Sequence, residues 1–300
     1  MDRAHHGTAY HGGEHYENFP VGSWLLPARM RPAVLALYRF ARTGDDLADE
    51  GALTLNARLA GLRALRAGLL AQAPQGHSED LFEIGAALRR ALDGHGISTA
   101  APDRLLTAFE RDAHNAPMAT ETAVLEYCHR SANPIGELFL QLSGLHRHVA
   151  YATLLKASDD ICTGLQLANF AQDMGEDVAR DRHYVPDDWC HEAGIIARDA
   201  LARLRPAQLP VRMAQWARDY LHRGACLPAQ MRRTRMPDAR RLAIEVALCV
   251  EGGLAITDKV CTDPAGVWHQ SPTISRHQLP MLLLRSVRRA FSTPLIHNVS

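Results

Sequence analysis

The sequence predicts an all-α protein in a single domain, and three observations carry that prediction. From Pro32 onward the apolar residues recur at intervals of three and four, the period of a helix that buries one face. Alternation at two, the mark of a half-buried strand, is sustained nowhere. No repeat period or low-complexity linker divides the 300 residues, so one helical domain is expected although that length could hold two.

Pro32 suits the first turn of a helix, which continues through "AVLALYRFARTGDDLADE" to about Glu50, where Gly51 can stop it. A second helix fits Leu55 to about Ala71. A third opens at Ser78 with acidic residues in its first turn and closes near Gly94, and a fourth runs from Pro102 to about Ala113. Segments from Thr120 to Leu145, Val149 to Arg180, Pro206 to Arg223, Asp238 to Lys259 and Arg276 to Phe291 complete the set. Residues 1–17 and 292–300 read as flexible tails around a folded domain at 18–291.

Composition narrows the function classes. Hydrophobic residues make up 47% and charged ones 22%, as in a soluble globular protein. Lys plus Arg equals Asp plus Glu at 33 each, so no global field draws nucleic acid or a membrane, and any charge-based recognition is local. Cys128, Cys162, Cys190, Cys226, Cys249 and Cys261 are scattered without a C-x-x-C pair and read as small buried residues in a reducing compartment. The first twenty residues have neither an apolar core nor a cleavage pattern, so no secretory leader is expected and the cytoplasm is the expected location. His5, His6, His11 and His15 read as part of the polar tail rather than as metal ligands. The longest apolar runs, such as Met281 to Leu284, fall far short of the ~20 residues a membrane span needs.

Two polar stripes interrupt the apolar helices. Tyr38, Arg42, Asp45 and Asp49 are spaced four, three and four apart, which stacks them on one face, while Asp46 points about 100° away. In "LQLANFAQDMGEDVAR", Gln166, Asn169, Asp173 and Asp177 repeat the arrangement with spacings of three, four and four. One such stripe alone reads as a solvated face, capped by Arg180 or Arg182. Two shift the balance, because like charges at this spacing destabilise a helix by a few tenths of a kcal/mol. The repetition points to a compensating cation.

Carboxylate and amide oxygens without histidine or cysteine select a hard ion, and magnesium, which keeps waters and is completed by substrate phosphate oxygens, fits. A di-iron bundle would want a repeated Glu-x-x-His, whereas "EYCH" from Glu126 occurs once. Neither G-x-x-x-x-G-K-[ST] nor G-x-G-x-x-G is present, so no nucleotide triphosphate or dinucleotide is expected. Two facing acidic stripes with magnesium between them would grip a diphosphate. An apolar helical cavity beneath would host a carbocation and exclude water.

The stretches "LYRFARTGDDLADEG", "EYCHRSANPIG" and "LQLANFAQDMGEDVARDRHYVP" resemble the squalene/phytoene synthase family, over about Glu17 to Asp258. The resemblance implies the class I isoprenoid-synthase fold, all-α with a central cavity. It implies catalytic aspartates at Asp45, Asp49, Asp173 and Asp177, with magnesium (Mg2+) held by Asp45 and Asp49 on one wall and by Asn169, Asp173 and Asp177 on the other. Tyr38, Arg42, Gln166, Arg182 and Tyr184 match substrate-binding positions that line the diphosphate or the cavity, and Tyr127 matches a motif tyrosine of the central pocket. Taken alone, Tyr38 and Tyr127 would read as core aromatics and Arg182 as a helix-end cation.

Departures from the family pattern refine the expectation. Where condensing members typically read N-x-x-R-D, this chain has Gln172 in "NFAQD", so a phosphate-gripping cation is missing. "SANPIG" replaces the usual valine-alanine-glycine stretch, and Pro134 would alter the helix backbone beside the cavity. With the opening words "ENFPVGSWLLP", these features are similar to the bacterial hopanoid-pathway branch, the hydroxysqualene synthases. That branch takes presqualene diphosphate, expels diphosphate, rearranges a cyclopropylcarbinyl cation and lets water capture it, without a reductant.

The partners this implies are a prenyl diphosphate lipid and, in function, other enzymes of the hopanoid pathway. The runner-up activity is head-to-head condensation of two prenyl diphosphates. A non-catalytic scaffold relative is a third reading, disfavoured because such a protein need not keep all four aspartates. The C-terminal "MLLLRSVRRAF" reads first as a core helix with an arginine-rich outer side. Its second reading is a helix in transient contact with the inner face of the membrane.

Overall fold

A computed structural model describes residues 25–49, 53–73 and 78–291. Among these residues every regular element is helical and no strand occurs. The tails, the opening words up to Trp24 and the expected stop at Gly51 lie outside the described residues. So do His5, His6, His11 and His15.

The first four helices are α1 (Arg31–Asp49), α2 (Leu55–Leu69), α3 (Glu79–Asp93) and α4 (Ala100–Ala113), close to the bounds that periodicity predicts. Thr54 caps α2 by accepting from the Ala57 N–H, which satisfies one of the donors a helix start leaves free. α2 and α3 pack at backbone contact: a Cβ on Gly68 would strike the Phe82 carbonyl, and one on Gly85 the Leu65 carbonyl. Only glycine on each side admits that approach.

The segment expected as one helix from Thr120 to Leu145 is two, α5 (Glu121–Ser131) and α6 (Asn133–Leu142), with Thr120 capping the first. The break at Ala132 precedes Pro134, whose ring and missing N–H cannot continue a helix interior but suit a first turn. The segment expected from Val149 to Arg180 also divides, into α7 (Tyr151–Gln172) and α8 (Met174–Ala179), at Asp173.

Three short helices escaped prediction: α9 (Asp187–Glu192), α10 (Arg198–Leu204) and, after α11 (Gln208–Gly224), α12 (Leu227–Arg233). Each has six or seven residues, too few to display a period. The chain finishes with the long α13 (Ala239–Thr262) and α14 (Leu279–Phe291).

Two buried clusters make the core. One gathers side chains of α1 to α4, α6, α12 and α13, and the other side chains of α5, α8, α11 and the end of α13. α7 belongs to both: Leu154, Ala157 and Ile161 lie in the first, and Leu167, Ala168, Phe170 and Ala171 in the second. Cys128 is buried and the other five cysteines are half-buried, all as free thiols. Among the described residues no helix is long and apolar enough to cross a membrane.

Candidate active site

α1 presents the first acidic stripe. Arg42 lies 2.8 Å from Asp46 and 3.7 Å from Asp45, so the carboxylate expected to point aside shares this cation. One turn on, Asp49, whose side chain is 10% exposed, forms an ion pair with Arg182 from beyond α8. That contact joins the first motif to the second.

The second stripe survives the break in its helix. The Asp173 N–H donates to the Asn169 carbonyl at 2.8 Å, and the Asp177 N–H to the Asp173 carbonyl at 2.8 Å. Four-residue hydrogen bonding therefore continues through the junction and keeps these positions stacked. The kink has a cause in Gly175, where a Cβ would stand 2.5 Å from the Val267 carbonyl oxygen and 2.7 Å from the Trp268 Cα. Glycine lets α8 rest on the backbone that follows α13. Gln172 donates from Nε2 to the Pro272 carbonyl at 2.8 Å, fastening the same connecting segment to the end of α7.

Beyond α8 the chain reverses at Asp181, whose φ of 59° is left-handed, a conformation that Asp and Asn tolerate better than most residues. Asn115 steadies the turn by donating to the Asp181 carbonyl at 2.7 Å. The Arg182 N–H then donates to the Asp177 carbonyl at 2.8 Å, which directs the guanidinium toward α1.

Beside the acidic groups lies an aromatic wall. Phe170 of α7 stacks on Tyr184 with centroids 4.3 Å apart and planes 10° apart. The Tyr127 ring of α5 sits 5.9 Å from Phe170 and 5.6 Å from Tyr184. The Tyr127 hydroxyl donates to Asp112 of α4 at 2.8 Å. Asp112 is a site residue that the sequence reading missed.

Carboxylates outnumber cations here, and their protonation shows it. Burial pushes Asp45 up to about 6, helped by the Asp49 charge and opposed by Arg42. Asp45 keeps 48% of its side chain exposed, so water softens that shift more than for its neighbours. Burial lifts Asp177 to about 7, with Arg182 opposing and Asp173 and Asp49 adding to the rise. Asp112 is raised to about 8 by burial, against the Tyr127 hydrogen bond and with the Asp49 and Asp45 charges behind it. Burial disfavours the Arg182 cation, yet Asp49, Tyr184 and Asp177 outweigh it and the guanidinium pKa rises.

Asp45, Asp49, Asp177, Arg182, Tyr127 and Tyr184 thus share one electrostatic neighbourhood, and Asp173 enters it through Asp177. Tyr38 lies half-buried on α1, as do Gln166 and Asn169 on α7, in the turns that lead to the acidic ends. Hard oxygen donors carrying excess negative charge are the donor set for a divalent ion such as magnesium, so these residues fit it. Among the described residues no three acidic, histidine or cysteine side chains converge as a ready-made cage. An ion here would draw part of its coordination from water or substrate, the habit of magnesium.

Residues 13–278 match the family described as squalene/phytoene synthase. The chain is 32% identical over 280 residues to the hydroxysqualene synthase of Sinorhizobium fredii, covering 92% of this chain and 91% of that protein. It is 38% identical over 195 residues to the hydroxysqualene synthase of Rhodopseudomonas palustris, covering 64% of this chain and 63% of that one. The crystal structure of a squalene synthase from Alicyclobacillus acidocaldarius superposes with a TM-score of 0.65 at 30% identity, over 83% of this chain and 90% of its own. A dehydrosqualene synthase in complex with a ligand, 24% identical over 87% of each chain, shares the fold with a TM-score of 0.68. A family match over most of the chain, together with these relatives and this shared architecture, fixes the assignment: the chain belongs to the squalene/phytoene synthase family and is a terpenoid-synthase enzyme with the isoprenoid-synthase fold.

Proposed function

We propose that the protein converts presqualene diphosphate into hydroxysqualene, with magnesium, by ionisation, rearrangement and capture of the cation by water. The observation that carries this reading is the Asp49–Arg182 pair, which joins two acidic helix ends beside the Tyr127, Phe170 and Tyr184 rings. Relatives named hydroxysqualene synthase, at 32% and 38% identity, support the branch.

Asp45 and Asp49 on one side and Asn169, Asp173 and Asp177 on the other would hold the ion, which when bound neutralises charge on a departing diphosphate. Arg182 and Arg42 would take phosphate oxygens, which the planar fork of a guanidinium matches. Tyr38 and Gln166 line the approach from the same helix faces. The carbon–oxygen bond breaks and its electron pair leaves with the diphosphate. The aromatic wall offers π faces to the cation that remains. The oxygen of a water then bonds to the rearranged cation, and the ionised form of Asp112, which accepts from the Tyr127 hydroxyl and whose pKa of about 8 makes it a ready proton acceptor, takes the proton released.

A second reading, head-to-head condensation of two prenyl diphosphates, draws support from the 30% identity to a squalene synthase. Weighing against it, Gln172 stands where condensing members typically carry arginine, and its amide is engaged by the Pro272 carbonyl. The test is incubation with presqualene diphosphate and magnesium, without NADPH, followed by mass spectrometry of the lipid. Hydroxysqualene that disappears on adding EDTA is the expected product. Inertness toward presqualene diphosphate combined with consumption of farnesyl diphosphate would replace this reading with the second.

A further inference from the structure

α14 meets the core along a narrow stripe. Leu282, Ser286 and Ala290, four residues apart, are its buried residues. Arg289 anchors one edge by donating to Glu251 at 2.6 Å, and Arg232 of α12 donates to the Ala290 carbonyl at 3.1 Å. The opposite side is apolar. Leu284, Val287 and Phe291, spaced three and four, are 48%, 37% and 45% exposed, and Met281 and Leu283 flank them at 55% and 41%. Of the eleven large apolar side chains exposed among the described residues, five lie on this helix. The reading of α14 as a core helix therefore holds for one stripe alone.

Its charge narrows the identity of what covers the exposed side. Arg285 and Arg288 are exposed on the outward half, and no Asp or Glu occurs between Arg276 and Phe291, although the chain as a whole balances 33 cations with 33 anions. Arg232 and Arg233 close the neighbouring α12. A groove on a protein partner would take the apolar stripe but would not account for Arg285 and Arg288, exposed on a helix that carries no acid of its own. An anionic bilayer takes both: apolar side chains enter the boundary between headgroups and acyl chains, while arginines reach up along their stems to lipid phosphates.

We propose that α14 is a docking helix that lies in the plane of an anionic phospholipid bilayer, with Leu284, Val287 and Phe291 inserted and Arg285 and Arg288 at the headgroups. The inference stands apart from the reaction, because it concerns a face that carries none of the proposed catalytic residues.

The experiment is vesicle flotation of the full chain without substrate, using phosphatidylcholine vesicles with and without phosphatidylglycerol. Three proteins are compared: wild type, Leu284→Glu with Phe291→Glu, and Arg285→Gln with Arg288→Gln. Wild type is expected to float with the anionic vesicles. The arginine variant is expected to bind them roughly tenfold or more weakly, and the glutamate variant not to float, both with unchanged circular dichroism and melting. Raising salt to about 1 M, where the Debye length contracts to ~3 Å, should release the wild type. Absence of flotation, or flotation equal for wild type and glutamate variant, overturns the proposal. Self-association abolished by the glutamate variant, without flotation, overturns it too and assigns the face to a second copy of the chain.

Discussion

Asp112 owes its place to a rule readable in the sequence, since Ala101, Leu105, Ala108 and Asp112 are spaced four, three and four apart, and the first three are buried. It is a lone acid on the apolar face of α4, without the partner four residues away that marks Asp173 and Asp177. The helical face is legible in the spacing, but a single acid on it has no pairing to set it apart from an ordinary surface carboxylate. Asp112→Asn keeps an acceptor for the Tyr127 hydroxyl but cannot take a proton. We expect diphosphate release to persist within about tenfold while the lipid product shifts from alcohol toward alkene, read by mass spectrometry; an unchanged alcohol yield would remove Asp112 from the reaction. Asp45, Asp177 and Asp112, at about 6, 7 and 8, hold protons in the fold well above the ~3.9 of an unfolded aspartate. The metal-free folded chain then binds more protons than the unfolded one above pH ~4, so the contribution of these groups to stability falls as pH rises through their folded values. Magnesium favours the ionised forms. Calorimetry should therefore find that magnesium raises the melting temperature more at pH ~8 than at pH ~5.5; equal shifts would mean the ion binds elsewhere.

At the scale of elements, the helices that periodicity announces are the long ones, and two of their starts carry threonine caps, Thr54 and Thr120. The divisions were only half legible. Pro134 announces the restart of α6, whereas the break at Asp173 depends on a tertiary contact between α8 and the backbone of Val267 and Trp268. No local spacing encodes that contact. Gly175→Ala tests its importance, because the added methyl must push α8 away from that backbone or distort it. We expect turnover to fall at least about tenfold, since a displacement of ~1 Å in a catalytic group can cost a hundredfold. The accompanying loss of stability should be about 1–3 kcal/mol. Steady-state rates beside denaturant unfolding separate the two effects, and a loss of stability with full activity would show that α8 can move without harm to the reaction.

Across the whole molecule, α7 runs through both core clusters, as α4 and α13 do, and the second acidic motif begins at its end. The first motif ends α1, in the other cluster's territory. The reach from one to the other is made by Arg182 on Asp49, a pairing that spacing along the sequence could suggest only through resemblance. On the proposed reaction it also makes Asp49 a contested ligand. A cation bound there competes for the carboxylate with a guanidinium belonging to the protein itself. Diphosphate offers that guanidinium another anion and so relieves the contest, which ties the affinities for ion and diphosphate together reciprocally. Calorimetric titration should find magnesium binding several-fold tighter with inorganic diphosphate present, and Arg182→Gln should shrink that gain by strengthening binding to the protein alone; an equal gain in both proteins would deny Arg182 the role of rival. On that reading the site carries its own placeholder, and becomes fully armed only when the proposed substrate has arrived.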